Sequence, residues 1–409
     1  MSHVRELLSK HGKPPREVYF DHENSGWVPP EVVEAMLPFF NIRGYGHPAI
    51  TNLPGWEAYE VVETTRELVM KVISARQGDD VVFTHSGTEA NNLAIMGTAL
   101  ANKKRGTKIV ISSIEHPSVI YPAQELEELG FRVVMVPVDG EGFIDPEILN
   151  AMVDKETILV SIQMVNHEIG TIQELRELVK AAKDANPEVI FHTDAIDALG
   201  RIPIDVSKLG VDLLSLSSHK IHGPKGVGAL YVREGVKLKP IIHGALSTQK
   251  LWPGVENVPA LAGFRKAIEL AFENFEANVA HMRQLRDKLL NGILERVDDV
   301  LVNGPIGDRR APDNVNVSFL YIEGESLTVE LSLRGVYVSS GSACTSRILE
   351  PSHVLLAIGR KHEEAHGSIM FRISRYHKEE DIDYALSQIP EAVERLRALS
   401  PIAPKRKAQ

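Results

Sequence analysis

The sequence predicts an α/β protein with a large, mostly parallel sheet and a second, smaller α+β unit. Between about residues 60 and 235, short apolar runs alternate with helical patterns. The apolar runs, such as KIVISS (108–113) and VIFHTDA (189–195), are typical of strands covered by helices on both faces. After about residue 260 the alternation gives way to one long helical stretch and several short segments.

The elements follow from hydrophobic spacing and from turn residues. Helices are predicted over 57–76, 89–104, 124–130 and 174–185, and strands at 81–84, 108–113, 131–138, 157–165, 189–195, 211–218 and 226–232. The second unit is predicted to contain a helical stretch over 259–298 interrupted near Glu273, three short segments at 313–320, 335–340 and 368–375, and a final helix near 379–398.

This change of pattern divides the chain. Residues 21–262 are predicted to form the large domain, and residues 1–20 join 263–400 in the small α+β domain. The Pro- and Lys-rich end, 401–409, is predicted to be a disordered tail.

Composition excludes several classes of protein. The 409 residues are 43% hydrophobic and 24% charged, as in an ordinary globular protein, and the 45 basic against 55 acidic residues give a net charge of −10. This acidic balance argues against a general nucleic-acid binder. The sequence shows neither a signal peptide nor an apolar run long enough to span a membrane, so we expect a cytoplasmic protein. The lone Cys344 excludes an intrachain disulfide and a Cys-cluster zinc site, and no metal-ligand spacing occurs.

Two buried strands end in residues that suggest cofactor chemistry. In SSHKIHGPKG (217–226), Lys220 follows a strand at the edge where parallel sheets carry their sites, although a surface lysine at a turn is the plainer interpretation. Asp194 ends another apolar strand, and a carboxylate there needs a cationic partner. The ring nitrogen of pyridoxal phosphate is such a partner.

Two further motifs support that cofactor. SGTEANN (86–92) lies between a strand and a helix, so its backbone N–H groups and the Thr88 hydroxyl could hold a phosphate, although a simple helix cap is also common there. EHPSV (115–119) places His116 just after a strand, where a flat ring could cover a cofactor face. Phosphate loop, histidine, aspartate and lysine together predict pyridoxal phosphate.

The chain resembles the class V aminotransferase group of fold-type I pyridoxal-phosphate enzymes, and within it the cysteine desulfurases of the NifS/IscS type. The resemblance covers nearly the whole chain, and SSGSACTSRILEPSHVLLAIG (339–359) resembles the catalytic-cysteine loop of that group. It implies that Lys220 binds the cofactor covalently and moves protons at the substrate Cα, that Asp194 holds the ring nitrogen protonated, and that His116 stacks on the ring. It also implies phosphate contacts from Gly87, Thr88, Ser217 and His219.

The same resemblance implies a reaction. Cys344 would take the sulfur of L-cysteine as a persulfide, leave L-alanine, and pass the sulfur to an acceptor protein such as an iron–sulfur scaffold. Gly341 would allow its loop to move. A homodimer is expected.

Several positions depart from the family pattern around the cofactor. His167, after Asn166, replaces the second Asn of the family's Asn-Asn pair, and Asp197 replaces a Gln, so we expect His167 and Asp197 to pair beside the cofactor's phenolic oxygen. We expect all four of Asn166, His167, Asp194 and Asp197 to contact the cofactor.

Other departures concern the phosphate and the substrate carboxylate. Val255 lacks the hydroxyl of the family's Thr, and Trp252 stands where an Arg is usual. Met370 replaces the family's carboxylate-binding arginine, so Arg372, two residues on, is predicted to take that role, with Arg375 as the alternative.

Two other interpretations stay open. A C–S lyase, a selenocysteine lyase or a small-amino-acid aminotransferase would keep Lys220, Asp194 and His116 without needing Cys344. A degenerate relative that only binds partners is the non-enzymatic alternative.

Overall fold

The computed structural model describes residues 12, 14–340 and 351–404. The strands in this part of the chain are β1 (Val18–Tyr19), β2 (Asp80–Thr84), β3 (Lys108–Ser112), β4 (Arg132–Val136), β5 (Thr157–Ser161), β6 (Ile190–Asp194), β7 (Leu213–Ser217), β8 (Gly228–Val232), β9 (Val300–Val302), β10 (Asn314–Phe319), β11 (Val336–Tyr337), β12 (Ser339–Ser340) and β13 (Ser368–Arg372).

The α-helices in the same part of the chain are α1 (Pro30–Met36), α2 (Pro38–Asn41), α3 (Leu53–Val72), α4 (Gly87–Asn102), α5 (Pro117–Glu128), α6 (Pro146–Met152), α7 (Leu175–Ala185), α8 (Val206–Leu209), α9 (Val258–Phe272), α10 (Phe275–Arg296), α11 (Gly324–Leu333), α12 (His353–Ala357), α13 (His362–His366) and α14 (Glu379–Leu399). The predicted order of strands and helices is confirmed, including the break near Glu273.

A seven-stranded sheet with the order β2-β8-β7-β6-β5-β3-β4 forms the centre of the large unit. Only β8 runs antiparallel to its neighbours, β2 and β7, and all other pairs are parallel. The carboxyl ends of β2, β3, β5, β6 and β7 therefore meet at one edge of the sheet.

Both faces of this sheet are buried. On β3, Ile109 and Ile111 pack with α4 and α5 in one hydrophobic cluster, whereas Val110 faces the opposite cluster with α7 and α9. The inner strands are consequently apolar on both sides, which explains the continuous hydrophobic runs in the sequence, whereas Arg132 and Met135 of the edge strand β4 are exposed.

The small unit is built on an antiparallel sheet with the order β12-β13-β10-β9. Residues of α10 and α14, such as Leu289 and Leu386, form its core. Helix α9 belongs to the other core, because Phe264 and Ala271 pack against the large sheet. The chain thus passes from the core of the large unit to the core of the small unit between α9 and α10, about ten residues beyond the predicted boundary at 263.

Within the described residues, none of the helices has the combination of length and apolar composition that crossing a bilayer requires. The predicted tail lies partly outside these residues, since the structure describes 401–404 and not 405–409.

The first strand is held by a glycine turn. Gly335 has a φ of +79°, and its carbonyl accepts a hydrogen bond from the Val18 N–H at 2.7 Å. A Cβ at Gly335 would lie 1.9 Å from the carbonyl oxygen of Arg16. Because Glu23 follows this strand into the site described below, the turn positions part of that site.

We expect Gly335→Ala to destabilise the protein more than Gly235→Ala. Gly235 also has a positive φ, +83°, but a Cβ there would meet no atom within 4 Å. Both changes carry the left-handed penalty of about 1–2 kcal/mol, and Gly335→Ala adds about 1–3 kcal/mol for displaced backbone. Urea unfolding followed by circular dichroism measures both, and equal losses would contradict the proposed clash.

Candidate active site

A cleft with a cavity volume of about 230 Å³, open to solvent, lies at the edge where the parallel strands end. The predicted site residues that line it are Gly87, Thr88, His116, His167, Asp194, Asp197, His219 and Lys220. They come from the ends of five different strands, so the sheet assembles them from distant parts of the sequence.

Asp194, the last residue of β6, is a buried carboxylate that faces the cleft. It accepts hydrogen bonds from Asn91 Nδ2 at 2.7 Å and from the Ile196 N–H at 2.9 Å. Burial raises the pKa of Asp194 to about 6, although these two hydrogen bonds oppose the shift. No basic side chain among the described residues forms an ion pair with it. A protonated ring nitrogen in the cleft would supply the missing partner.

Lys220 lies in the turn after β7, and its side chain is only 7% exposed. Its Nζ donates a hydrogen bond to Glu23 Oε1 and lies 3.3 Å from Asp197 Oδ1. The amine therefore reaches the cleft in contact with two carboxylates. Glu23 was not predicted, because nothing in its local sequence indicates a partner 197 residues away.

The phosphate end of the predicted cofactor has a suitable place at the N-terminus of α4. Ser86 caps this 16-residue helix by accepting a hydrogen bond from the Glu89 N–H. A Cβ at Gly87 would lie 2.3 Å from Ile196 Cδ1, so a larger residue there would require the Ile196 side chain to move. Thr88 is exposed at the cleft, so its hydroxyl and the free N–H groups of the first turn can bind an anion.

Near the N-terminus of α4, His219 lies at the surface of the cleft and Ser217 lies behind it. His219 lines the cleft, and its Nδ1 lies 2.8 Å from Ser217 Oγ. Ser217 is buried and does not reach the cleft wall itself. We therefore assign Ser217 the orientation of the His219 ring instead of a direct phosphate contact.

His116 is held by a chain of hydrogen bonds that ends at Asp194. Ser118 Oγ lies 2.7 Å from His116 Nδ1 and accepts a hydrogen bond from Asn91 Nδ2 at 2.8 Å. The Ser118 N–H also donates to Nδ1, so a neutral ring carries its proton on Nε2. Burial lowers the pKa of His116 to about 4. A neutral, fixed, flat ring is suited to lie against a cofactor face.

Asn91 and Ser118 were missed by the sequence predictions. Both belong to motifs that were noticed, SGTEANN and EHPSV, but their roles depend on the contact between α4 and α5.

His167 and Asp197 attract each other electrostatically, but no hydrogen bond joins them among the described residues. His167 Nδ1 lies 3.4 Å from Gln163 Oε1, and its ring meets the His116 ring edge to face at 5.0 Å. Asp197 is held by Lys220 and by the Arg372 guanidinium. Burial keeps the pKa of His167 well below its usual value, so it presents a neutral ring.

Asn166 lies behind the cleft. Its Oδ1 accepts hydrogen bonds from the Glu168 and Ile169 N–H groups, and its Nδ2 donates to the Ile114 carbonyl. Because Asn166 is fully buried and does not line the cleft, we assign it a structural role instead of the predicted cofactor contact.

Arg372 also lies beneath the cleft wall, while Met370 lines it. The guanidinium is fully buried and contacts Glu23 Oε2 at 3.0 Å, Asp197, and Asp313 Oδ1 at 3.4 Å. A substrate carboxylate would have to displace Glu23 or Asp197 to reach it, so the geometry does not support the predicted role. Arg375 turns away and donates to the Ile221 carbonyl.

The two remaining positions that depart from the family pattern, Trp252 and Val255, do not line this cleft. Trp252 is buried in the core beside α4, and Val255 is 58% exposed. Cys344 and Gly341 lie outside the described residues. The described part of the chain that follows, from residue 351, is anchored to the cleft, because Ser352 Oγ donates a hydrogen bond to Glu168 Oε2 at 2.6 Å.

We expect the folding stability of the protein to depend on pH through the buried Glu168 carboxyl group. Burial raises its pKa to about 8, so the folded state keeps a proton that the unfolded state loses near pH 4.5. This contribution is complete below pH 4.5 and is lost as the pH rises toward 8. Glu168→Gln removes the titration, so the stability of the variant relative to the parent should rise by at least ~1 kcal/mol between pH 5 and 8.5. Denaturant unfolding at several pH values tests this, and parallel curves would contradict it.

Comparisons with known proteins identify the family of the chain. Residues 18–385 match the family model "Aminotransferase class-V". The chain is 46% identical over 386 residues to the cysteine desulfurase IscS of Dictyoglomus turgidum (94% of this chain, 97% of the relative), and 44% identical over 384 residues to cysteine desulfurase IscS 1 of Archaeoglobus fulgidus (94% and 99%).

Solved structures give the same result. A NifS-like protein shares 36% identity at a TM-score of 0.86, over 93% of this chain and 100% of its own. A structure of SspA in complex with cysteine shares 31% identity at a TM-score of 0.75, over 88% and 99%. These likenesses confirm the predicted fold, and the chain belongs to the class V aminotransferase family.

Proposed function

We propose that this chain is a pyridoxal-phosphate-dependent cysteine desulfurase that converts L-cysteine to L-alanine and transfers the sulfur through Cys344. The observation that carries the proposal is the buried Asp194 carboxylate, without a basic partner among the described residues, in the same cleft as the Lys220 amine. The 40–46% identity to cysteine desulfurases over nearly the full chain supports the choice of substrate.

Bound pyridoxal phosphate supplies an electron sink that stabilises negative charge at the substrate Cα. Asp194 keeps the proton on the ring nitrogen, and Asn91 fixes the orientation of that carboxylate. Lys220 binds the cofactor covalently and carries protons to and from Cα. Gly87, Thr88 and the first turn of α4 hold the phosphate.

His116 and His167 both line the cleft. Both rings are neutral, because burial lowers the pKa of each. The His116 ring would lie against the bound cofactor, and its Nε2–H would be available to donate a proton in the cleft.

Cys344 provides the nucleophile. Its thiolate attacks the sulfur of the bound cysteine, an S–S bond forms as the substrate C–S bond breaks, and a persulfide remains on Cys344. The sulfur then passes to an acceptor protein, for which an iron–sulfur scaffold is a suitable candidate.

Replacement of Cys344 distinguishes a desulfurase, which needs this thiol as a nucleophile, from a lyase, which does not. In Cys344→Ala, alanine formation from L-cysteine under reducing conditions should fall by at least ~100-fold, since the chemical nucleophile is gone. Mass spectrometry of the parent should show one added sulfur on Cys344. Borohydride should fix the cofactor on Lys220 in both proteins, which confirms that the variant is loaded. Full turnover by the variant would instead identify a C–S or selenocysteine lyase.

We infer that the protein forms a homodimer through the surface of α1–α3. Large apolar side chains that are 41–73% exposed concentrate there: Val33, Leu37, Phe40, Ile42, Tyr45, Ile50, Leu53, Trp56 and Tyr59. Such a concentration is unusual on a monomer and is typical of a protein interface. A second copy is the simplest partner, as the family resemblance implies.

Sedimentation should give a dimer for the parent. Phe40→Lys with Trp56→Lys should shift it to monomer, because two buried charges oppose association. Leu399→Lys is a control on the other unit, since Leu399 is also an exposed large apolar side chain, at 75% against 60% for Phe40 and 58% for Trp56. A dimer that survives the double change would place the interface elsewhere.

A further inference from the structure

The Lys220 nitrogen lies between two buried carboxylates from distant parts of the chain. Its Nζ donates a hydrogen bond to Glu23 Oε1. The same atom lies 3.3 Å from both carboxylate oxygens of Asp197. The three side chains are at most 8% exposed, so water and salt screen these contacts weakly. An amine in this position therefore carries its positive charge opposite two acids.

These two carboxylates belong to a larger network of buried ionic groups. Asp197 also contacts the Arg372 guanidinium and lies 4.0 Å from Arg201 Nη1. Glu23 Oε2 lies 3.0 Å from Arg372 Nη2, and Asp313 contacts both arginines. Three acids and three bases are connected in this way. Arginine contacts thus hold both carboxylates in place independently of the lysine.

Covalent binding of an aldehyde cofactor keeps a charge at the Lys220 nitrogen. The ammonium nitrogen and the aldehyde carbon form a C=N bond, and the aldehyde oxygen leaves as water with two of the three ammonium protons. The third proton remains on the nitrogen, so the product is a cation, as the ammonium was. This cation can lose its proton to solvent, and the charges around it determine the pH at which it does so.

We propose that Asp197 and Glu23 are the counter-ions of the Lys220 nitrogen in the cofactor-bound protein and keep the C=N linkage protonated. The inference rests on the proposed function, because it requires an aldehyde cofactor. The carbon of a protonated C=N bond is more electrophilic than that of a neutral one, so the substrate amine attacks it more readily. The two carboxylates therefore prepare the linkage for exchange with the substrate.

The contacts leave room for movement of the nitrogen. Glu23, Asp197 and Lys220 all line the cleft in which the cofactor would bind. An opposite charge within about 4–6 Å favours the charged form of a titratable group. Asp197 lies 3.3 Å from the nitrogen, so it stays within this range even if bond formation moves the nitrogen by ~2 Å.

The two carboxylates differ in how readily they ionise. Burial disfavours the charge of Asp197, but the lysine and the two arginines outweigh it and hold the pKa of Asp197 well below its usual value. Burial, followed by repulsion from Asp197, raises the pKa of Glu23 to about 7, while Lys220 and Arg372 oppose the shift. Asp197 is thus charged throughout the neutral range, and Glu23 adds a second negative charge above about pH 7.

The titratable and charged groups around the Lys220 nitrogen come from every neighbouring element: Asp21 and Glu23 after β1, His116 after β3, His167 after β5, Asp194 at the end of β6, Asp197 and Arg201 after β6, His219 in the turn after β7, and Arg372 on β13. Burial lowers the pKa of each histidine in this set, so these rings are neutral. Glu23 and Asp197 are the acids of the set that form ion pairs with Nζ.

A spectrophotometric pH titration of the cofactor-loaded full chain tests the proposal, because protonated and neutral C=N linkages absorb at different wavelengths. Asp197→Gln, which introduces the residue of the family pattern, should lower the midpoint by ~1–3 units. Glu23→Gln should lower it as well, since each change removes one of two counter-ions. Glu168→Gln is a matched control and should keep the parent's midpoint, because Glu168 is a buried acid of the same cleft whose hydrogen bond comes from Ser352.

A second measurement needs no variant. In the Raman spectrum of the loaded parent at neutral pH, the C=N stretching band should move to lower frequency in D2O, because only a protonated nitrogen exchanges its hydrogen for deuterium. An unshifted band would overturn the counter-ion role, and a midpoint equal to that of the parent in either variant would overturn the role of that residue. Both results would leave the desulfurase function intact. A parent that forms no C=N linkage with pyridoxal phosphate would instead overturn the proposed function itself.

Discussion

Neutralisation of buried charge at one edge of the sheet is the constraint on which the site depends. The parallel strands bring their carboxyl ends together, so side chains such as Asp194 and Lys220 converge where both faces of the sheet are already closed by helices. In this setting each charge must find a partner. The observed partners determine which groups remain available for chemistry.

The charged network also connects the two units of the protein. Glu23 follows β1, Arg372 ends β13, and Asp313 precedes β10, whereas Asp197 and Lys220 belong to the large sheet. Each unit alone would hold unpaired buried charges. The Lys220 amine is thus positioned only when the small unit packs against the large one, which couples assembly of the site to completion of the fold.

The fold could be predicted from the sequence because the hydrophobic patterns that indicate strands and helices are local. Apolar runs such as 108–113, and the strand ends near Asp194 and Lys220, can be recognised from hydrophobic spacing, although the roles of these two residues were predicted only from several motifs taken together. Glu23, Asn91 and the true partners of Asp197 could not be predicted, because their roles depend on pairings between distant segments. His167 and Asp197 form no hydrogen bond, because Asp197 is held by Lys220 and Arg372.

Asp194 and Glu23 show how two similar acids acquire different tasks. Burial raises the pKa of both, but Asp194 has amide and backbone donors and no basic side chain, while Glu23 contacts an amine. A cofactor with a basic ring nitrogen would bring a positive charge to Asp194, whereas Glu23 already has one beside it in Lys220. Asp194 is therefore the acid whose partner the cofactor supplies, and Glu23 is an acid whose partner the chain itself supplies.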